Sequence, residues 1–303
     1  MRHVRLIFML VTLCAPVETY APPKRPEISG IAFVRLLVTN IEDSRKFYGE
    51  LLKLSAGSSW CFRADATCYL LNPIQELEIL PASGPARSNV VDAIGFWVDD
   101  VHKLRSYIAA RGVKSEKIIS NSSAEECIGV RDSENHQIVF ISLSGGVMGS
   151  LMSSPARVSD RLIHAGIIVR DRVAEDHFYK DILGFHVYWH GGRKDGETSW
   201  VDMQVPDGTG WIEYMLNVPV NADHHTLGVM NHIALGVPDI HAAEEQLRKN
   251  GWSGSEQPKI GRDGKWQLNL YDPDDTRVEL MEFTPTQKPC CSEYTGPHPG
   301  QHP

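Results

Sequence analysis

Apolar and polar positions along this chain follow a pattern that returns four times. Each unit begins with a mostly apolar strand, such as LIHAGIIV from Leu162 to Val169. An amphipathic helix that ends at Gly or Leu-Gly comes next, and two or three further strands separated by turn signals follow it. The pattern predicts four strand–helix–strand–strand–strand units near residues 29–82, 91–145, 161–218 and 229–285.

The units align with one another in pairs. FVRLLVTNIEDSRKFYGELLKL, from Phe33, matches HAGIIVRDRVAEDHFYKDILGF, from His164, at one constant offset. AIGFWVDDVHKLRSYIAARGV, from Ala93, matches HIALGVPDIHAAEEQLRKNGW, from His232. Such internal similarity indicates one supersecondary unit used repeatedly. Because helices on one face of a sheet leave the other face open, we expect an α+β fold in which four βαβββ modules pair into two cup-shaped domains.

Strand parity predicts which side chains enter the second cup. In the first strand of the third unit, Ile163, Ala165 and Ile167 are expected to pack on the helix. The expected in-facing polar residues, one from each of four inner strands, are His164, Glu213, His232 and Glu279. Such groups are costly to bury alone, and coordination to a cation removes that cost. We therefore predict a metal site; the alternative is a solvated polar cluster at the mouth of the cup.

The first pair of units departs from this pattern. Phe33, Ala93 and Val139 stand where His164, His232 and Glu279 stand in the second pair, and only Glu78 matches a carboxylate, that of Glu213. Without those ligands the first cup is predicted to hold no metal. It either supports the second pair or binds a small molecule of its own.

These residues resemble the vicinal oxygen chelate superfamily, which includes glyoxalase I, methylmalonyl-CoA epimerase, extradiol dioxygenases and bleomycin resistance proteins. The resemblance covers about residues 29–285, and its most specific parts are DPDDTRVELMEF and the His-led strand HIALGVPD. It implies one divalent metal ion (Fe, Ni, Zn, Mn or Co). The ligands that it implies are His164, Glu213, His232 and Glu279.

Three functions compete within this resemblance. The first is a glyoxalase- or epimerase-like lyase or isomerase acting on a small oxygenated substrate. A metal would stabilise an enediolate there, with Glu213 as the preferred proton-transferring base and Glu279 as the second choice. The second is an Fe(II)-dependent extradiol dioxygenase with a ligand triad of His164, His232 and Glu279 and with His225 as acid/base. The third is a non-catalytic small-molecule binding protein.

Two sequence features weigh against the dioxygenase. The separation between His225 and His232 looks too short for the extradiol family. Its ring-cleaving members also carry a Tyr ten residues before the carboxylate ligand, where this chain has Asn269. The fourth in-facing ligand candidate, Glu213, favours the lyase or isomerase.

Composition limits the partners. The 303 residues carry a formal net charge of -8, and no basic stripe is visible, so nucleic acid and anionic membranes are not expected partners. The expected partner is a small-molecule substrate. Four units satisfy the architecture within one chain, so a monomer and a homodimer are both compatible with the sequence.

The ends of the chain differ from the rest. Residues 1–21 have a basic start, an apolar run of twelve and a small residue before PPKRP, which predicts a signal peptide. A secreted or periplasmic protein follows from that reading, and a cytoplasmic one if the segment is not a signal. The expected organisation is a signal peptide (1–21), a degenerate metal-free domain (29–145), a linker (146–160), a metal-binding domain (161–285) and a Pro-rich tail (286–303).

Two smaller features are assigned no function. The adjacent Cys290 and Cys291 could form a redox pair or a metal-prone patch, but ordinary tail residues are the favoured reading. The stretch GRDGK, residues 261–265, has the composition of a solvated hairpin turn at the mouth of the cup.

Overall fold

The chain folds into two curled sheets, one from each half of the sequence. The computed structural model describes residues 23–57, 63, 65–83, 90–120, 125–143 and 154–301. The predicted signal peptide and most of the predicted linker lie outside these described residues. Within the described residues no helix is both long and apolar enough to cross a bilayer.

The first sheet has eight strands within the described part of the chain. In chain order β1 to β8 they are Ile28–Val38, Ser55–Gly57, Thr67–Asn72, Gln75–Pro81, Val91–Val98, Ile119–Ser120, Glu125–Arg131 and Gln137–Leu143. Its spatial order is β2-β3-β4-β1-β5-β8-β7-β6. The central pair, β1 and β5, is antiparallel, and each of these strands has a parallel neighbour on its other side.

The second sheet repeats this arrangement with eight strands among residues 154–301. In chain order β9 to β16 they are Arg161–Ile168, His186–Gly191, Trp200–Gln204, Trp211–Met215, His232–Val237, Lys259–Ile260, Trp266–Tyr271 and Arg277–Glu282. Its order is β10-β11-β12-β9-β13-β16-β15-β14. Each half of each sheet is one βαβββ module, so the predicted α+β fold of paired modules is confirmed.

Each module carries its helix between its first two strands. The described α-helices, α1 to α5, are Ile41–Ser44, Val101–Ala109, Arg172–Asp176, His224–Met230 and Ile240–Lys249. α1 continues into a π-helical segment, Arg45–Leu51, and α3 into another, His177–Ile182. α4 is an extra helix between the third and fourth modules.

The repeated VDDVH and VPDIH stretches start helices. Asp100 caps α2 and Asp239 caps α5, and each carboxylate accepts backbone N–H bonds from the first turn. Gly112 and Gly251 follow the same two helices with φ of +81° and +103°. Glycine adopts this left-handed conformation without a Cβ clash, which explains the predicted helix-ending glycines.

The helices lie in one core shared by both halves of the chain. A single buried hydrophobic cluster contains residues of both sheets and of the helices. Within it the rings of Phe96 and Phe185 meet edge to face with centroids 5.4 Å apart. The Tyr107 hydroxyl donates to the Ile182 carbonyl at 2.7 Å across the same boundary. The two cups therefore open away from this shared core.

Two matched hairpin turns join the halves reciprocally. The turn between β15 and β16 reaches the first half, where the Tyr48 hydroxyl donates to Asp272 at 2.8 Å and the Thr39 amide donates to Asp274 at 2.9 Å. The turn between β7 and β8 reaches the second half in the same way, and there Tyr179 donates to Asp132 at 3.0 Å. Each half thus holds the strand-to-helix junction of the other.

One packing prediction was wrong. Ile163 was expected on the helix side, but it belongs to the hydrophobic cluster inside the second cup, and Leu162 belongs to the shared core instead. The pairing of β9 with β13 has a register irregularity here, because Ala234 pairs with His164 but Leu235 pairs with Leu162. An extra residue of this kind reverses strand parity locally.

We predict that Tyr48→Phe lowers the free energy of unfolding by about 1–3 kcal/mol, because it removes the hydroxyl donor of the buried Asp272 carboxylate. Tyr179→Phe, at the matching turn, is expected to have a similar effect. Urea unfolding measures both. Tyr271→Phe is the control and should change stability by less than about 0.5 kcal/mol. Equal small effects of all three variants would contradict a structural role for the turns.

A second prediction concerns pH. Burial, and then the nearby Asp132, raises the pKa of Glu175 to about 9. The folded state therefore keeps a proton that the unfolded chain releases near the ordinary glutamate pKa of 4.5, and stability falls as pH rises between these two values. Glu175→Gln should remove this loss of stability. Its free energy of unfolding relative to that of wild type should be higher at pH 8.5 than at pH 5.5, by on the order of 1–4 kcal/mol.

Urea unfolding at several pH values tests the Glu175 prediction. Glu245→Gln is the matched control because Glu245 is an exposed glutamate on α5. This variant should keep the wild-type dependence on pH. The prediction fails if Glu175→Gln also keeps it.

Candidate metal centre

The four in-facing residues predicted from the sequence converge in the second cup. His164 Nε2 lies 3.1 Å from His232 Nε2. Glu213 Oε2 lies 2.9 Å from His232 Nε2 and 3.6 Å from His164 Nε2. Glu279 Oε2 lies 3.5 Å from His164 Nε2 and 3.9 Å from His232 Nε2. Each carboxylate therefore approaches both imidazoles, and His164, His232 and Glu279 are the three whose ligand atoms all lie within 4.8 Å of one another.

Strand register produces this convergence. Two rows of paired residues cross the centre of the sheet, and they read Glu213, Gly166, His232 and His164, Ala234, Glu279. The middle residue of each row is small. A Cβ added at Gly166 would overlap the His232 ring, so only glycine leaves the space that this ring occupies. The four longer side chains thus lean over two small residues.

Both histidines are neutral. Burial holds the pKa of His164 well below its usual value, and the neighbouring His232 lowers it further. Burial, followed by the Arg277 charge, does the same for His232. His232 Nδ1 lies 3.2 Å from the Met230 carbonyl, to which it donates, while Arg277 donates to Nε2 at 2.6 Å. His232 therefore presents a lone pair on Nε2, as a metal ligand must.

The carboxylates are held in a setting that disfavours negative charge. Burial raises the pKa of Glu213 and of Glu279 to about 7. Burial, and then the Glu213 charge, raises the pKa of Asp202 well above its usual value. Asp202 pairs with Glu213 across β11 and β12 and lines the same cavity. A bound cation would offset the unfavourable charge of these acids.

The donor set fits a divalent ion. Imidazole and carboxylate ligands lie about 2.0–2.2 Å from zinc, so two ligands at right angles are about 3 Å apart and wider angles give larger separations. The five separations above, from 2.9 to 3.9 Å, fall in this range. His164, His232 and Glu279 also form a group in which all ligand atoms lie within 4.8 Å of one another.

A cavity of about 270 Å³ opens beside the four residues. Trp189, Trp200 and Trp211 line one part of it, and Asn269 and Arg277 line another. Its size and mixed apolar and polar walls suit a small molecule.

Charged residues of the cavity wall were missed or misjudged from the sequence. Asp263 and Lys265 of the predicted solvated turn are buried, and Lys265 Nζ lies 4.7 Å from the centre of the Trp211 ring. Burial lowers the pKa of Lys265 to about 8 and raises that of Asp263 to about 6. Strand parity could have identified Asp202 and Arg277. Asp202 pairs with Glu213, and Arg277 lies on the same face of β16 as Glu279. No local signal identified Lys265.

The C-terminal tail explains the burial of this turn. The Tyr294 hydroxyl donates to the Asp263 carbonyl at 2.8 Å, and Trp189 Nε1 donates to the Cys290 carbonyl at 3.1 Å. Both Asp263 and Trp189 line the cavity. Cys290 and Cys291 form a disulfide, so the reading of them as ordinary tail residues was wrong. The tail thus supports the cavity wall from behind.

His225 is not brought to the centre. Its side chain is 62% exposed, and its Nδ1 lies 3.6 Å from Asp275. α4 places it outside the cavity, so the structure gives the predicted acid/base no partner in the site. Asn269, in contrast, pairs with Glu279 across β15 and β16 and faces the cavity.

The first cup is closed at the same position. Phe33, Ala93 and Val139 form a buried hydrophobic cluster there. Arg35 stands where Gly166 stands in the second cup, and its Nε donates to Glu78 Oε2 at 2.5 Å. The side chain of Glu78 is fully buried, and this guanidinium neutralises it. The alignment of the first and third units already places Arg35 opposite Gly166. The ligand positions alone did not predict that this arginine would pair with Glu78.

Residues 161–280 match the family model described as the Glyoxalase/Bleomycin resistance protein/Dioxygenase superfamily. This part of the chain is therefore similar to that superfamily. The matched segment includes all four converging residues of the second cup. A curated relative, lactoylglutathione lyase from Haemophilus influenzae, is 25% identical over 129 residues, which are 42% of this chain and 96% of that protein.

Solved structures of two-domain dioxygenases share the fold. A variant of homoprotocatechuate 2,3-dioxygenase from B. fuscum has a TM-score of 0.65 and 22% identity, and the match covers 93% of this chain and 75% of that one. The corresponding enzyme from Arthrobacter globiformis gives 0.64 and 20%, covering 88% and 83%. At these identities the likeness shows the two-domain architecture.

We predict that Gly166→Ala displaces the His232 ring, because the added methyl group requires the space that the ring fills. The free energy of unfolding should fall by about 1–3 kcal/mol, and zinc affinity should fall at least about tenfold. Urea unfolding and calorimetric zinc titration measure these effects. Gly30→Ala is the control, since nothing lies within 4 Å of a Cβ at that position. Unchanged zinc affinity in Gly166→Ala would contradict the prediction.

Proposed function

We propose that the second cup binds one divalent metal ion and catalyses a lyase or isomerase reaction of the glyoxalase and epimerase type. The ion would be held by His164, Glu213, His232 and Glu279, and the substrate would be a small oxygenated molecule in the adjacent cavity. The position of Glu213 carries this proposal. Its Oε2 is 2.9 Å from His232 Nε2, so a second carboxylate joins the histidines where a three-residue site would leave a free position.

The chain supplies positioning and proton transfer in this proposal. When bound, the ion would act as a Lewis acid that stabilises an enediolate charge on the substrate oxygens. Glu213 would take the proton from the neighbouring carbon and return it, because its side chain, 13% exposed, is the more open of the two carboxylates. Trp189, Trp200 and Trp211 would restrict water around the reacting carbon.

A second candidate, an Fe(II)-dependent extradiol dioxygenase, has its own support. The buried triad of His164, His232 and Glu279 is a compact group by itself. The fold is also shared over most of the chain with homoprotocatechuate 2,3-dioxygenases. The exposed position of His225 gives this chemistry no acid/base at the place predicted from the sequence.

The third candidate, a binding protein without catalysis, applies best to the first cup. Its Arg35–Glu78 ion pair and hydrophobic filling leave the metal position occupied by side chains.

We predict that wild-type protein binds about one equivalent of Ni(II), Zn(II), Co(II), Mn(II) or Fe(II), and that His232→Ala loses it. Metal content is measured by mass spectrometry on protein purified without a metal-affinity tag. Glu213→Gln should retain a metal through the other three ligands but slow deuterium exchange of hydroxyacetone in D₂O at least about 100-fold, because the base is lost.

The two enzyme candidates give opposite results. Oxygen uptake with 3,4-dihydroxyphenylacetate and Fe(II) measures the dioxygenase. If the protein is a dioxygenase, Glu213→Gln should keep this uptake within a few-fold, and Glu279→Gln, the matched control, should abolish it. Failure of wild type to bind any of the five metals would reject both enzyme proposals.

A further inference from the structure

Arg277 occupies an unexpected position beside the candidate metal centre. It lies two residues before Glu279 on β16, so both side chains face the cup. Its side chain is 14% exposed and lines the cavity. Its Nη2 lies 2.6 Å from His232 Nε2 and 3.8 Å from Glu213 Oε2. This is an arginine in contact with a candidate metal ligand.

Arg277 and a metal ion compete for the same lone pair. A guanidinium has donors only, so His232 Nε2 must be the acceptor of this hydrogen bond. A metal needs the same electron pair. Binding of an ion at His232 therefore requires Arg277 to release it and to turn toward another acceptor.

The unpaired donors of Arg277 indicate what that acceptor is. Its Nε has no hydrogen-bond partner among the described residues. A guanidinium fork matches a carboxylate with two parallel hydrogen bonds. An anionic group in the cavity would supply the acceptors that this guanidinium lacks once it releases His232.

Two other cations beside the cavity have different surroundings. The ammonium of Lys265 lies among the rings of Tyr188, Trp211 and Tyr294, and its charge interacts with Asp263 and Asp202. Arg262 forms an ion pair with the exposed Asp195 and donates toward Cys291 Sγ at 3.7 Å. Arg277 differs from these two because the carboxylate beside it, that of Glu213, is a candidate metal ligand.

We propose that Arg277 binds the substrate: it holds His232 Nε2 in the metal-free protein and binds a carboxylate of the substrate once a metal ion takes that nitrogen. The substrate class is accordingly a small oxygenated molecule with one carboxylate close to the oxygens that the ion would contact. This inference rests on the metal site of the proposed function, and it adds the charge of the substrate.

The first arm of the test is zinc titration by calorimetry. Wild type, Arg277→Gln and Arg172→Gln are compared in the full chain. Arg277→Gln should bind zinc as tightly as wild type or up to about tenfold more tightly, because a competing donor and a positive charge are removed. Arg172→Gln, which changes an exposed arginine on α3 away from the cavity, should equal wild type. A tenfold weaker zinc affinity in Arg277→Gln would overturn the proposal.

The second arm uses two probes of equal shape with the zinc-loaded protein. Binding of 2-hydroxyisobutyrate and of its neutral amide, 2-hydroxyisobutyramide, is followed by quenching of the tryptophans that line the cavity. Wild type and Arg172→Gln should prefer the carboxylate at least about tenfold. Arg277→Gln should lose this preference while keeping zinc, and Arg277→Lys should regain part of it.

The outcomes separate the two proposals. Zinc bound by wild type without a carboxylate preference, or a preference that survives in Arg277→Gln, overturns the role of Arg277 and leaves the metal site standing. Absence of zinc binding in wild type overturns the metal site and, with it, this inference.

Discussion

The pairing of β9 with β13 is the constraint on which the second cup depends. Its register places Gly166 and Ala234 at the centre of two rows of paired residues, with a histidine beside each. Because these central residues are small, the flanking imidazoles and carboxylates can approach one another without opposing side chains. A shift of one residue would turn the histidines into the shared core, so register and chemistry are inseparable here.

The two cups solve the same electrostatic problem in different ways. Each keeps a glutamate on the fourth strand of its first module, where burial disfavours a free charge. The first cup provides Arg35, whose guanidinium reaches Glu78 directly, and fills the remaining space with Phe33 and its neighbours. The second cup has Gly166 at the equivalent place and leaves Glu213 beside two neutral histidines. The arginine in one cup and the glycine in the other therefore account for the different surroundings of the two glutamates.

Sequence patterns predicted the fold and the convergence of four residues because both depend on strand parity and on repetition. They failed where a structural cause was not local. A register irregularity in β9 turned the side chain of Ile163 to the opposite face of the sheet. The C-terminal tail, which is distant in sequence, covers the turn that contains Lys265, although the composition of that turn is typical of a solvated one. His225 follows the sequence of a known active-site stretch, but α4 places it at the surface. Arg277 lies on the same face of β16 as Glu279. Arginine is not a metal-ligating residue type, so the ligand pattern did not predict its place in the site.

The ion pair in the first cup limits which substitutions this cup can accept. A substitution that introduces a buried ion pair is not always easily reversed, because the partner charge stays buried. Removal of Arg35 alone would take away the guanidinium that donates to the buried Glu78 carboxylate, and breaking a buried ion pair is strongly destabilising. A ligand set like that proposed for the second cup would also require two imidazoles and another carboxylate in place of Phe33, Ala93 and Val139. Single substitutions are therefore not expected to give the first cup the chemistry of the second.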